Sequence, residues 1–247
     1  MPQPIDFYFD FSSPYGYLAS EKIDDLAARH NRKVRWQPIL LGVIFKRTGG
    51  APLTTLPLKG EYSLHDFRRS ARFLDVPYTH PETFPLATQH AARTYYWLHE
   101  KDCAMARAFA HATFRSFYIE GCDISDLTVV LDLACRQGAD YNALSEALAG
   151  PSVKERLKGE CEAAIRKGVF GSPYIIVDGE PFFGVDRLPQ IEQLQPAFAG
   201  KADPSRLALT GHSFGAFSAQ QFGGAMAFDP DTERLSLIPI SQPTRPD

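Results

Sequence analysis

Sulfur is scarce in this chain: its 247 residues contain four cysteines and three methionines. Cys103, Cys122, Cys135 and Cys161 are widely spaced, with no C-x-x-C pair and no Cys/His pairing at zinc-site intervals. A dithiol redox centre and a structural zinc are therefore not expected, and the four read as reduced, mostly buried thiols. Charge of one sign is lacking too. Twenty-six Lys and Arg against 29 Asp and Glu leave a net charge of -3, without a basic stripe, which argues against a nucleic-acid partner. Nothing reads as a membrane anchor. Met1-Pro2-Gln3-Pro4 runs directly into an apolar stretch without the basic and long apolar regions of a secretory leader, so the expected location is cytoplasmic.

Aromatic residues are plentiful, and the first cluster organises the rest. Ile5-Asp6-Phe7-Tyr8-Phe9-Asp10-Phe11 alternates as a strand does, and Ser12-Ser13-Pro14 then supplies a cap and a proline at the first helical position. A helix follows from Tyr17 to Arg29, and Lys33–Pro38 alternates again, which predicts a β-α-β unit with parallel strands. Leu40–Gly60 is rich in proline and glycine and reads as loop. Helical patterns follow near 63–74, 85–100, 103–117, 125–136 with Ser125 and Asp126 behind it as cap, 141–148 and 152–167, the last closed by Gly168. Two short β-type runs flank Asp178-Gly179, a hairpin signal, before a final helix through Leu188, Ile191 and Leu194.

The Ser13 position carries two readings. Ser-Pro is a common helix start, and a helix N-terminus, with its free N–H groups and positive dipole end, is also a place for an anion such as a thiolate.

Four stretches carry a family resemblance: Tyr8-Phe9-Asp10-Phe11-Ser12-Ser13-Pro14-Tyr15, Pro38-Ile39-Leu40-Leu41-Gly42, Gly168-Val169-Phe170-Gly171-Ser172-Pro173 and Phe183-Gly184-Val185-Asp186-Arg187-Leu188. In this order they resemble the 2-hydroxychromene-2-carboxylate isomerases, relatives of kappa-class glutathione transferases in the thioredoxin-like superfamily. The resemblance spans roughly residues 4 to 197. It implies an α/β thioredoxin-like fold, discontinuous over 1–45 and 150–198, with a large all-helical insertion at 46–149 as in disulfide oxidoreductases.

It also implies a glutathione-dependent enzyme. Where redox relatives carry Cys-x-x-Cys, this chain has Ser13-Pro14-Tyr15-Gly16, so disulfide exchange there is chemically excluded. Ser13 is the expected catalytic residue, donating its O–H to the glutathione thiolate. Ser172-Pro173 is expected as a cis bond that turns the Ser172 backbone toward the bound peptide. Val185 and Asp186 are expected at the γ-glutamyl end, where Asp186 also reads as a helix cap, and Lys59, in the loop after the second strand, at the other carboxylate. Tyr15 and Arg69 are candidates for substrate contact, with Arg68 and Arg72 beside Arg69. No metal site is expected. Three departures stand out: Gly16 for a frequent serine, Gly50 for a frequent asparagine and Val185 for a frequent asparagine or serine.

The reaction so implied interconverts 2-hydroxychromene-2-carboxylate and trans-o-hydroxybenzylidenepyruvate, a step of naphthalene-type breakdown, in a homodimer. Kappa-class conjugation of electrophiles and a non-catalytic glutathione-binding module are the alternatives.

Residues 199–247 are anomalous for such a chain. Gly211-His212-Ser213-Phe214-Gly215 is similar to the nucleophile elbow of α/β-hydrolases, but no histidine follows His212 to complete the triad in that fold's order. The stretch reads as a hydrolase-like fragment without activity, poorly ordered, and its end, from Leu235 to Pro246, resembles translated adaptor sequence.

Overall fold

The N-terminal aromatic run forms β1 (Ile5–Phe9), and all five residues are buried. Alternation suggests one wet face, but β1 is an inner strand of a four-stranded sheet ordered β2-β1-β3-β4, covered on both sides. The computed structural model describes residues 2–193 and, further on, two strands within 226–237. Strand β2 (Val34–Pro38) runs parallel to β1, in register from Ile5 opposite Val34 to Phe9 opposite Pro38, and α1 (Pro14–Arg29) makes the crossover. The hairpin expected around Asp178-Gly179 is present: β3 (Tyr174–Val177) and β4 (Glu180–Phe183) are antiparallel, and β3 is antiparallel to β1.

Between β2 and β3 lie seven helices: α2 (Leu41–Thr48), α3 (Lys59–Leu74), α4 (Gln89–Lys101), α5 (Cys103–Tyr118), α6 (Leu127–Arg136), α7 (Tyr141–Ala149) and α8 (Ser152–Arg166). α9 (Leu188–Gln193) follows β4. Helix α4 packs against α5, α6, α7 and α8. The block is joined to the sheet by aromatic contact. The Phe9 ring lies 5.0 Å from Phe7, 5.2 Å from Phe11 and 5.4 Å from both Trp36 of β2 and Phe114 of α5. Such pairs add about 0.5–1.5 kcal/mol each beyond the area they bury, so sheet and helical block share one core.

Several boundaries differ from the sequence reading for local reasons. Leu41–Thr48 is a helix, not loop: its first N–H is taken by a buried carboxylate from β1's end, and left-handed Gly49 closes it. Helix α4 starts at Gln89 rather than near 85: Leu86 spends its N–H on Ser12 Oγ outside the helix, and Thr88 stands at the N-cap. Asp126, not Ser125, caps α6, accepting from Thr128 N–H at 2.7 Å. The cysteines are free, but only Cys161 is buried; Cys103 is exposed and the other two are half-buried.

No helix among the described residues is long and apolar enough to cross a membrane. The chain divides into two compact units, Met1–Gln195 and Pro196–Asp247. In the second, β5 (Met226–Asp229) pairs antiparallel with β6 (Arg234–Leu237). Leu194 and the elbow-like Gly211–Gly215 stretch lie outside the described residues.

Candidate active site

Four residues, Asp10–Ser13, carry the chain from β1 into α1, and each is buried. Asp10 is the hub. Its Oδ1 accepts from Ser12 N–H and the Thr88 hydroxyl, both at 2.8 Å, and its Oδ2 accepts from Leu41 N–H at 2.7 Å. Burial pushes this carboxyl above the ordinary range, against the pull of those three hydrogen bonds. The Asp10 N–H donates to Ser172 Oγ at 3.0 Å. One residue thus ties the start of α2, the start of α4 and the loop before β3 to the end of β1.

Ser13 is the N-cap of α1, in extended conformation, with its Oγ accepting from Gly16 N–H at 3.0 Å. Its hydroxyl donates to the Ser172 carbonyl at 3.0 Å. Ser12 Oγ accepts from the Leu86 N–H of the helical block at 3.0 Å. The Ser172–Pro173 peptide is cis, as the sequence implies. Pro14 has no N–H, Gly16 and Tyr17 donate to Ser13, and the N–H groups of Tyr15 and Ser172 have no acceptor among the described residues.

These groups form the floor of a cavity of about 370 Å³. Its walls are apolar: Leu41, Phe45 and Pro52–Thr54 on one side, Phe67 and Phe84–Leu86 on another, Phe170 and Phe183 at the rim. The Phe170 and Phe183 rings are 4.7 Å apart and both are nearly half exposed. A larger groove of about 530 Å³ beside α5 is more open and of mixed polarity, and its Arg115 is taken up by Glu21.

Of the residues singled out from sequence, Ser13, Tyr15 and Ser172 line the cavity. Pro173 is buried behind it and accepts from Gly184 N–H at 3.1 Å. Val185 is buried in a 3-10 turn, Val185–Arg187. Asp186, in that turn, is no helix cap: it makes no capping bond, pairs with Arg187 at 3.4 Å, and is exposed. Its charge nevertheless reaches the Tyr15 phenol. Lys59 is not in a loop but opens α3, exposed and away from the cavity lining. Arg69 is likewise outside the lining, exposed and bound to Asp66 and to the Tyr62 hydroxyl at 2.9 Å; Arg68 and Arg72 do not line it either.

Tyr15 packs edge-on against Phe67 at 5.0 Å and donates its hydroxyl to Asp66. Burial, then this bond and the charge of Asp66, push its phenol far above its ordinary value. Burial would raise Asp66, but bonds from Tyr15 and Arg69 outweigh it and hold the carboxyl low.

Two departures from the family pattern acquire structural reasons. A Cβ at Gly16 would lie 2.8 Å from Ser172 Oγ, so glycine there goes with serine at 172. A Cβ at Gly50 would lie 2.7 Å from the Phe45 ring, so a side chain there would displace a cavity wall. Sequence reasoning missed Asp10, Thr88 and the phenylalanine walls. A lone carboxylate between Phe9 and Phe11 was the available signal for the first.

The site combines a helix N-terminus, serine hydroxyls and unpaired N–H groups, with no cysteine among its lining residues. The model of the DSBA-like thioredoxin domain matches residues 4–194. A 2-hydroxychromene-2-carboxylate isomerase of Sphingobium xenophagum is 31% identical over 195 residues, covering 78% of this chain and 97% of that protein. Glutathione S-transferase kappa 1 of Homo sapiens is 27% identical over 206 residues, covering 78% and 91%. A solved structure of 2-hydroxychromene-2-carboxylate isomerase superposes with a TM-score of 0.72 at 26% identity, covering 81% of this chain and 99% of that one. The chain therefore belongs to the DsbA-like thioredoxin family, as an isomerase-like enzyme of the branch that holds the 2-hydroxychromene-2-carboxylate isomerases and the kappa-class glutathione transferases.

Proposed function

We propose that this protein is a glutathione-dependent isomerase that interconverts 2-hydroxychromene-2-carboxylate and trans-o-hydroxybenzylidenepyruvate. The observation that carries the reading is the two-sided cavity, with an anion-seeking floor under walls of aromatic and aliphatic side chains. The isomerase names of relatives at about this identity support it.

What glutathione supplies when bound is a nucleophile that adds reversibly to a conjugated carbon, leaving a single bond that can rotate before the nucleophile departs. The chain's part is to make that nucleophile available. A free thiol of ordinary pKa, about 8.5, is only a few per cent ionised at neutral pH, and hydrogen bonds to the charged form shift the balance. The floor offers Tyr15 N–H and Ser172 N–H without breaking any existing bond, together with the positive end of α1. Ser13 would contribute its O–H by exchanging the Ser172 carbonyl for an anion, a stronger, charge-assisted partner. The walls would hold the ring system and exclude water. Val185 and Asp186 are proposed at the γ-glutamyl end, where the charge of Asp186 suits an ammonium, and Lys59, at the start of α3, at the other carboxylate.

The protein is also proposed to be a homodimer. Leu58, Tyr62 and Phe73, 88%, 62% and 83% exposed, are large side chains at and along α3 that a second copy would cover, around the Asp66–Arg69 ion pair.

The deciding experiment incubates the purified protein with 2-hydroxychromene-2-carboxylate, with and without glutathione, and follows the product spectrum and the thiol concentration. Conversion that needs glutathione and leaves it unconsumed is expected. Consumption of the thiol with an electrophilic substrate instead would identify a kappa-class transferase, the reading favoured by the human relative. Glutathione binding without turnover of either would reduce the protein to a binding module.

A further inference from the structure

Ser12, Ser13 and Ser172 all line the cavity, and Ser12 Oγ accepts from Leu86 N–H; the hydroxyls of Ser13 and Ser172, which alone meet over Gly16, differ in what their protons do. Ser13 is fully used: its oxygen accepts from Gly16 N–H and its hydrogen goes to the Ser172 carbonyl. Ser172 is half used. Its Oγ accepts from Asp10 N–H, while its own hydrogen has no acceptor among the described residues, and the residue lines the cavity.

Position matters as much as proton count. The point where a side chain at residue 16 would begin lies 2.8 Å from Ser172 Oγ and 3.2 Å from Ser13 Oγ. Both hydroxyls therefore converge above the first turn of α1, where the dipole and the free Tyr15 N–H also favour negative charge. The missing side chain at Gly16 is what admits Ser172 to this place. Asp10, locked by its own three hydrogen bonds, presents the N–H that fixes the Ser172 oxygen, so the rotor turns only its proton.

We propose that the Ser172 side-chain hydroxyl, reaching across from the cis-proline loop over Gly16, is a catalytic donor to the bound sulfur anion, which Ser13 alone does not supply. This rests on the glutathione reading above. It gives Ser172 a side-chain role in addition to the backbone role implied by its place before Pro173, and no bond must break for it, whereas Ser13 has to release the Ser172 carbonyl.

The test titrates glutathione bound to the full-length protein by its ultraviolet thiolate absorbance, alongside the pH profile of kcat/KM with a halogenated aromatic electrophile. In Ser172→Ala the thiol midpoint should rise by about one pH unit, a tenfold change, with rates about tenfold lower at neutral pH and converging with wild type at high pH. A merely structural loss would lower the profile at every pH. The double variant G16S/S172A puts a hydroxyl back into the vacated space and should recover the midpoint to within about threefold. An unchanged midpoint in Ser172→Ala, with glutathione still bound by wild type, overturns the inference and leaves the glutathione reading standing. No glutathione binding by wild type overturns both. A crystal structure of the wild-type complex, which needs no variant to fold, should place the sulfur within hydrogen-bond reach of Ser172 Oγ; a sulfur facing Ser13 alone overturns the inference.

Discussion

The floor and the walls of the cavity are held in place in different ways. The floor is a network of directed bonds between segments far apart in sequence: Asp10 to Leu41 and Thr88, Ser12 to Leu86, Ser13 to Ser172. The walls are side chains packed by contact, with Phe67, Phe84, Phe170 and Phe183 meeting neighbours edge-on or tilted. Directed bonds set the angle at which donors meet a small charged atom. Apolar contact is indifferent to angle and tolerates a family of ring-shaped guests. The difference teaches that, on the proposed function, substrate choice and thiol activation would be separable, the first resting on the walls and the second on the floor.

The contrast can be broken most severely at Asp10. Asp10→Ala would strand two N–H groups and a hydroxyl in the interior, with an expected loss of about 3 kcal/mol. In a chain of this size that lowers the melting temperature by roughly 6–12 °C, measurable by calorimetry. A loss under about 1 kcal/mol would mean that the floor is held by packing after all.

A wall variant should act on the substrate alone. Phe45→Ala removes one aromatic side of the cavity without touching a floor hydrogen bond, and KM for the aromatic substrate should rise about tenfold while glutathione affinity stays within about twofold. Equal changes in both would erase the distinction between the two surfaces.

The smallest effect is expected at Tyr15, which belongs to both. Burial, the bond to Asp66 and nearby negative charge hold its phenol protonated well above its ordinary value of 10.0. Tyr15→Phe should therefore leave the shape of the rate profile unchanged up to pH 10.0 while altering KM by about threefold through the lost hydroxyl. An inflection near that pH, present in wild type and absent from the variant, would show that the phenol titrates in the working range.

Much of the fold is readable along the chain because its signals are local. Ser13-Pro14 marks the start of α1, Asp178-Gly179 the β3–β4 hairpin, and Ser125-Asp126 the start of α6. Lys59 and Arg69 were harder to place, since a basic side chain announces its charge but not its direction. Arg69 turns to Asp66 three residues before it and to Tyr62, partners its own helix supplies. The stretch 40–60 misled for a related reason. Its glycines and prolines are real breakers, yet Leu41–Thr48 is helical because a carboxylate thirty-one residues earlier caps its first N–H.

By itself the sequence determined the order of the four sheet strands, the absence of a dithiol at the start of α1, and the serine that stands there instead, since each follows from neighbours within a few residues. Tertiary structure alone decided which of the two Ser-Pro hydroxyls keeps a proton without an acceptor. Ser13 and Ser172 look alike in sequence, and they come to differ when the fold sets the Ser172 carbonyl against the Ser13 hydroxyl and the Ser172 Oγ over Gly16. Hydrogen bonding is a contest for partners, and which partner wins depends on distances that only the folded chain brings within 3.0 Å.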